Sequence, residues 1–192
     1  MWGIFCALAL LASIIEARPP RTNLTVSGLS SGGAMAAQFH LAFSKDVSGA
    51  GIVAGPPYWC AEGLELLATT VCLFGPAALV PVSKLENQLQ LYVQQGSADA
   101  TSHLKNDPVY IFSGTNDHVV SPSIVKINEQ IYTAFGAHVK TNYEVPSAHG
   151  FVTDNYGGLC ELLNVMNYMN NWYVEHNYQI FVEICFFSLL SS

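Results

Sequence analysis

A chain of 192 residues is long enough for one domain with a sizeable core. Apolar residues make up 51% and charged residues 11% of it, which excludes a disordered acidic segment or a strongly solvated repeat. Seven Lys plus Arg against fourteen Asp plus Glu give a net charge of −7 without any basic run, so nucleic acid is not an expected partner.

The chain opens on an apolar run from Trp2 to Ile15, followed by Glu16-Ala17-Arg18-Pro19-Pro20. The run falls short of the roughly 20 residues of a membrane span. Ala17 suits the position before a cleavage site, so residues 1–17 read as a signal peptide and the mature chain as a secreted protein without a membrane span. No Lys or Arg precedes the run, which leaves a buried or anchoring N-terminal helix as the alternative. Asn23-Leu24-Thr25 is the only N-glycosylation sequon and makes Asn23 the candidate glycosylation site.

Thr22 to Ser27 alternates polar and apolar residues, the pattern of a short strand ending at Gly28. From Ala34 to Ser44, the spacing of Met35, Phe39 and Ala42 or Phe43 predicts a helix that buries those residues. Gly49 to Ala54 is a short apolar strand closed by Gly55-Pro56-Pro57, which leaves Tyr58 and Trp59 on a loop, lining a cleft or capping the core. Ser83 and Glu86 have capping-box spacing ahead of a helical stripe of Leu85, Leu89 and Val93 that ends at Gly96. Pro108 to Phe112 is a strand, and Asp117 falls on the loop beyond it. Ile124, Ile127, Ile131 and Phe135 mark a further helix closed by Gly136. His138 to Val145 alternates as a strand, after which His149 lies on a loop.

This alternation of strands and helices predicts an α/β fold with a mainly parallel sheet, helices on its faces and ligands at the carboxyl ends of the strands. Residues 18–160 form the expected catalytic domain. Beyond them, residues 161–192 make an atypical C-terminal tail, in which Asn164, Asn167, Asn170, Asn171 and Asn177 interrupt the apolar pattern.

If Cys6 leaves with the signal, Cys60, Cys72, Cys160 and Cys185 remain, an even number that suits an oxidising compartment. Cys60 and Cys72 flank a segment able to close a small loop, so that bridge is favoured, leaving Cys160 with Cys185. No pair has zinc-ligand spacing, and no metal site is expected.

Gly28-Leu29-Ser30-Ser31-Gly32 has the G-x-S-x-G form in which glycines allow a tight turn between strand and helix, with the serine exposed at its apex. The pentapeptide alone is a frequent chance pattern. A serine hydroxyl needs a base to take its proton, and the base needs a carboxylate to fix its tautomer. Ser30, Asp117 and His149 supply these in the order Ser, acid, His, each after a separate strand. The Ser31 amide, at the start of the helix, is the expected oxyanion donor. His40 and His138 read as packing or surface residues, His118 as too close to Asp117 to serve as base, and Asp107 as a turn residue. Asp154 is the second choice of acid and Ser31 the alternative nucleophile.

Ser27-Gly28-Leu29-Ser30-Ser31-Gly32-Gly33-Ala34-Met35-Ala36-Ala37-Gln38 resembles the extracellular poly(3-hydroxybutyrate) depolymerase family of α/β-hydrolase esterases. Three further stretches resemble that family: Pro57-Tyr58-Trp59-Cys60-Ala61, Val109 to Asp117, and Ala148 to Asp154. The resemblance spans residues 22–160. It implies a monomeric, cofactor-free serine esterase that cleaves a short-side-chain polyester or small esters through an acyl-enzyme at Ser30, with Tyr58 and Trp59 contacting substrate. A feruloyl or acetyl-xylan type esterase needs the same three residues, and a non-catalytic secreted protein on this scaffold is the reading from a different class. Some family members are circularly permuted, with strands and the second oxyanion amide supplied after the histidine. Few residues precede Ser30 or follow His149 here, so the expectation is a shortened member with an incomplete sheet or oxyanion hole.

Overall fold

The structure, a computed structural model, describes residues 24–172. The proposed signal segment, Asn23 and Cys185 lie outside the described residues.

Four strands, β1 (Leu24–Leu29), β2 (Val47–Val53), β3 (Pro108–Phe112) and β4 (His138–Asn142), form one sheet in the order β1-β2-β3-β4, with every pairing parallel. Each strand therefore returns to its neighbour through a crossover. The first is α1 (Ser31–Ala42), the second contains α2 (Glu65–Thr69), α3 (Val71–Phe74) and α4 (Val82–Gln94), and the third contains α5 (Pro122–Val125) and α6 (Ile127–Ala134). Central strands β2 and β3 are almost wholly buried, whereas edge strands β1 and β4 are partly exposed. That difference is why β2 and β3 read as near-continuous apolar runs and the edges as alternating ones.

Successive residues of β3 point to opposite faces. Val109 and Ile111 pack with Leu41 of α1, Leu85 and Leu89 of α4, Ile124 of α5, and Ile127 and Ile131 of α6. Tyr110 and Phe112 pack on the other side with Val53, Val145, Val152 and Cys160. A small second sheet belongs to that side, built of β5 (Phe151–Thr153), β6 (Gly158–Leu159) and β7 (Met169–Asn171) in the order β5-β7-β6. Through β7, residues beyond 160 share a sheet with the segment that follows His149.

Four local expectations change. Helix α1 begins at Ser31 and turns Gly33, Ala36, Ala37, His40 and Leu41 inward, leaving Met35 64% and Phe39 39% exposed. At its start the inner face takes a glycine because a Cβ on Gly33 would lie 2.9 Å from Gly28 O and 3.0 Å from Val53 O; farther along, it accepts His40 and Leu41. In α4 the first turn starts at Val82, Pro81 supplies the first carbonyl, to Lys84 N–H at 3.0 Å, and Ser83 makes no cap because it already lies inside the helix. The segment from Ile124 to Phe135 is two helices, and Gly136 follows them at φ 77°. Strand β4 stops at Asn142, whose side-chain oxygen accepts a hydrogen bond from the Glu144 amide and turns the chain out of the sheet.

Asp107 is more than a turn residue. It is buried, and its Oδ2 lies 3.2 Å from Nε2 of His40, whose Nδ1 lies 3.2 Å from the Tyr132 hydroxyl. This buried cluster ties the last turn of α1 to the amino end of β3 and to α6. Among the described residues, no helix is long and apolar enough to cross a membrane.

Cys60 and Cys72 form a disulfide, with Cα atoms 5.9 Å apart. Cys160 is a buried free cysteine; burial, then the Glu161 carboxylate, pushes its thiol up to about 11. For a loop of twelve residues' separation, the entropy of closure predicts that replacing both bonded cysteines by serine lowers the unfolding free energy by about 3 kcal/mol. Urea titration of the wild-type and double-serine proteins checks this; coincident midpoints would mean that the bridge does not constrain the unfolded chain.

Candidate active site

The strand register brings the carboxyl ends of the large sheet into one row. Leu29 is level with Val53, Val53 with Phe112, and Phe112 with Asn142. The ladder continues one residue further, as Ser30 N–H donates to Val53 O at 2.9 Å, Ala54 N–H to Phe112 O at 2.8 Å and Ser113 N–H to Asn142 O at 3.2 Å. The loops that carry Ser30, Asp117 and His149 all leave from this edge.

Ser30 stands between β1 and α1 with φ 58° and ψ −120°, a conformation rarely adopted by a residue with a side chain, at a cost of about 1–3 kcal/mol. Its carbonyl accepts the Ala34 amide at 2.9 Å, so the helix starts immediately after the turn. A Cβ on Gly28 would fall 2.2 Å from the Gly32 carbonyl carbon, and one on Gly33 would fall 2.9 Å from Gly28 O and 3.0 Å from Val53 O. Gly32 itself faces open space. The steric demand of the turn therefore rests on Gly28 and Gly33, not on both glycines of the pentapeptide. Ser31 occupies the exposed first position of α1, where backbone amides have no partner within the helix.

Asp117 and His149 are buried and joined directly, His149 Nδ1 lying 2.8 Å from Asp117 Oδ2. An ionised carboxylate only accepts, so Nδ1 carries the proton and Nε2 is left with its lone pair. The other oxygen, Oδ1, accepts the Val119 and Val120 amides, each at 2.9 Å. Both oxygens are thus held, and the carboxylate is fixed in rotation.

The acid and histidine loops are laced together. Thr115 N–H donates to Val145 O at 2.9 Å, Asn116 N–H to Ser147 O at 3.1 Å, and the Asn116 side-chain amide to Pro146 O at 3.0 Å. On the far side of the histidine loop, Ala148 N–H donates to Cys160 O at 2.8 Å and Phe151 N–H to Tyr168 O at 2.8 Å. The buried Asn170 amide reaches Ala148 O at 3.2 Å, and the Tyr168 ring stands perpendicular to His149 with centroids 6.1 Å apart. Sequence reasoning passed over Asn116, Tyr168 and Asn170. Asn116 adjoins the proposed acid in the Val109 to Asp117 stretch, but Tyr168 and Asn170 sit where the apolar pattern fails and offered only the hint of a polar residue among apolar ones.

Tyr58 and Trp59 lie on the loop that follows the carboxyl end of β2. Tyr58 is buried in the helical core beside a groove lined by Met35, Phe39 and Tyr92, and burial, then neighbouring Tyr92, pushes its hydroxyl up to about 12. Trp59 lines a groove of about 510 Å³ along α4, where Lys84, paired with Glu62, lies 5.8 Å over its ring. Neither groove includes Ser30 or His149. His118 is exposed, and Asp154 follows β5 past His149. His138 opens β4 at the opposite edge of the sheet. Among the described residues there is no cluster of metal-ligating side chains.

A parallel sheet with a strained serine between its strand and helix, and with acid and histidine loops on the same edge, is the arrangement of the α/β-hydrolase fold. No protein-family model matches the chain. The poly(3-hydroxybutyrate) depolymerase of Delftia acidovorans is 42% identical over 143 residues, covering 73% of this chain and 29% of its own length. A polyhydroxybutyrate depolymerase of Talaromyces funiculosus is 28% identical over 140 residues, 70% of this chain and 39% of its own. Two solved structures match at 26% identity over 79% of this chain and 49% of theirs. They are a serine-to-alanine PHB depolymerase complexed with an R3HB trimer, at a TM-score of 0.66, and the PHB depolymerase from Penicillium funiculosum, at 0.63. The chain is similar to poly(3-hydroxybutyrate) depolymerases in sequence and fold, and it spans less than half the length of these relatives.

The turn geometry separates its glycines by experiment. Gly28→Ala is expected to lower the unfolding free energy by about 3 kcal/mol, through a methyl forced against backbone. Gly32→Ala, in open space within a first helical turn, is expected to change it by less than about 1 kcal/mol. Denaturant titration of the two variants measures both, and equal losses would contradict the assignment of the close contact to Gly28.

Proposed function

We propose that this chain is a secreted serine carboxylic-ester hydrolase that cleaves poly(3-hydroxybutyrate)-like short-chain polyesters or their oligomers through an acyl-enzyme at Ser30. The observation that carries this reading is the 2.8 Å contact between buried His149 and Asp117 on the same strand edge as the strained Ser30 turn. Similarity to poly(3-hydroxybutyrate) depolymerases supports the substrate class, as does the R3HB trimer held by the solved relative. The Cys60–Cys72 bridge supports an oxidising compartment, the environment to which a signal peptide at residues 1–17 would direct the chain.

The steps follow from the roles. Ser30 Oγ bonds to the ester carbonyl carbon while its proton passes to His149 Nε2, and the carbonyl electron pair moves onto oxygen. The Ser31 amide donates to that oxyanion. Asp117 stabilises the imidazolium and keeps the ring oriented. Collapse of the tetrahedral intermediate breaks the bond to the alcohol oxygen, which takes the proton from Nε2. Water, deprotonated by the same nitrogen, then attacks the acyl-enzyme, releases the acid and returns the proton to Ser30. One ester and one water become one acid and one alcohol, with no organic or metal cofactor called for by these steps.

Hydrolysis of p-nitrophenyl butyrate by the wild type and by Ser30→Ala, Asp117→Asn and His149→Ala tests the mechanism. Because the three groups act as a unit, kcat is expected to fall by roughly 10⁴-fold in each variant. Rates equal to wild type in any of them would remove the proposed mechanism.

A further inference from the structure

We infer that Tyr168 and Asn170 are positioning residues for His149, so that residues 160–170 belong to the catalytic apparatus. This rests on the reading of His149 as the base. Asp117 fixes only one atom of the imidazole, Nδ1. The backbone that carries the ring is held from one side by the acid loop, through Thr115 and Asn116. On its other side, the hydrogen-bond partners of its backbone are residues 160–170.

Residues 160–170 supply that support in a regular pattern. Cys160 O accepts the amide of Ala148, the Asn170 side chain donates to the carbonyl of the same residue, and Tyr168 O accepts the amide of Phe151. Both peptide groups of Ala148 and the residue after Gly150 are thereby pinned, with His149 between them. Gly150 fits because it has no side chain: a Cβ there would lie 2.6 Å from Tyr168 O and 2.9 Å from Asn170 Nδ2. Asn170 is fully buried. Tyr168 adopts φ 55°, a left-handed conformation that costs a residue with a side chain about 1–3 kcal/mol, and it brings the Tyr168 ring perpendicular to the imidazole. A pinned backbone and a ring wall together leave His149 one orientation, with Nδ1 on Asp117. The tyrosine contributes through its ring and not through its hydroxyl.

The test reads the histidine directly. In the full chain, the proton shared between His149 Nδ1 and Asp117 gives a low-field proton magnetic resonance, assigned by its loss in His149→Ala. Tyr168→Ala and Asn170→Ala are expected to broaden or abolish it through faster exchange with water, and to lower kcat about 10-fold at unchanged KM. Tyr168→Phe is expected to retain both. Tyr168 is 41% exposed, so its alanine variant remains informative if Asn170→Ala does not fold. An unchanged resonance in Tyr168→Ala, its absence from the wild type, or its loss in Tyr168→Phe overturns the inference. If the wild type cleaves no ester while the resonance responds as expected, the esterase reading fails and the positioning role stands.

Discussion

Helix α1 can leave strand β1 as sharply as it does because no side chain separates Gly33 from the carbonyl oxygens of Gly28 and Val53. Gly55 meets the same crossing from strand β2, where a Cβ would lie 2.7 Å from the Gly33 carbonyl carbon. Three chain segments therefore approach one another backbone to backbone. Their closeness forces Ser30 into its left-handed conformation and turns the small residues of α1 inward. The strain at Ser30 is modest beside the burial that holds α1 on the sheet, since each fully buried large side chain of that layer, such as Leu41 or Ile52, contributes about 1.5–3 kcal/mol. A stable crossing is what lets a strained serine persist.

The same helix is fixed at its far end by different means. His40 lies between Asp107 and Tyr132 with no solvent exposure, joining three elements through polar contacts in an otherwise apolar layer. Such a buried pair adds little net stability, since desolvation offsets its attraction, but removing one partner of a buried pair is costly. Its place at the amino edge of the sheet separates it from the row of strand ends that carries Ser30, Asp117 and His149. The molecule thus has a polar clamp at one end of α1 and a candidate reaction centre at the other.

Much of this was legible in the sequence, for identifiable reasons. Strand β3 reads plainly because a central parallel strand is apolar on both faces. The order of Ser30, Asp117 and His149 reads because each follows a strand with a recognisable pattern. The buried face of α1 was misread because periodicity of large apolar residues gives the wrong answer when close packing selects Gly and Ala. His40 and Asp107 concealed a contact between residues remote in sequence. The region after 160 was opaque for the same reason, since β7 joins β5 through pairings that leave no local period, and the asparagines that broke the pattern include the one that holds Ala148.

The account stands on Ser30 being a nucleophile activated through His149. Treating the full chain with a fluorophosphonate and mapping the adduct by mass spectrometry tests this directly, because the reagent captures an activated serine without requiring the natural substrate. The account predicts rapid modification at Ser30, with the rate lowered by orders of magnitude in His149→Ala. No adduct at Ser30, or equal labelling in the presence and absence of His149, would contradict it.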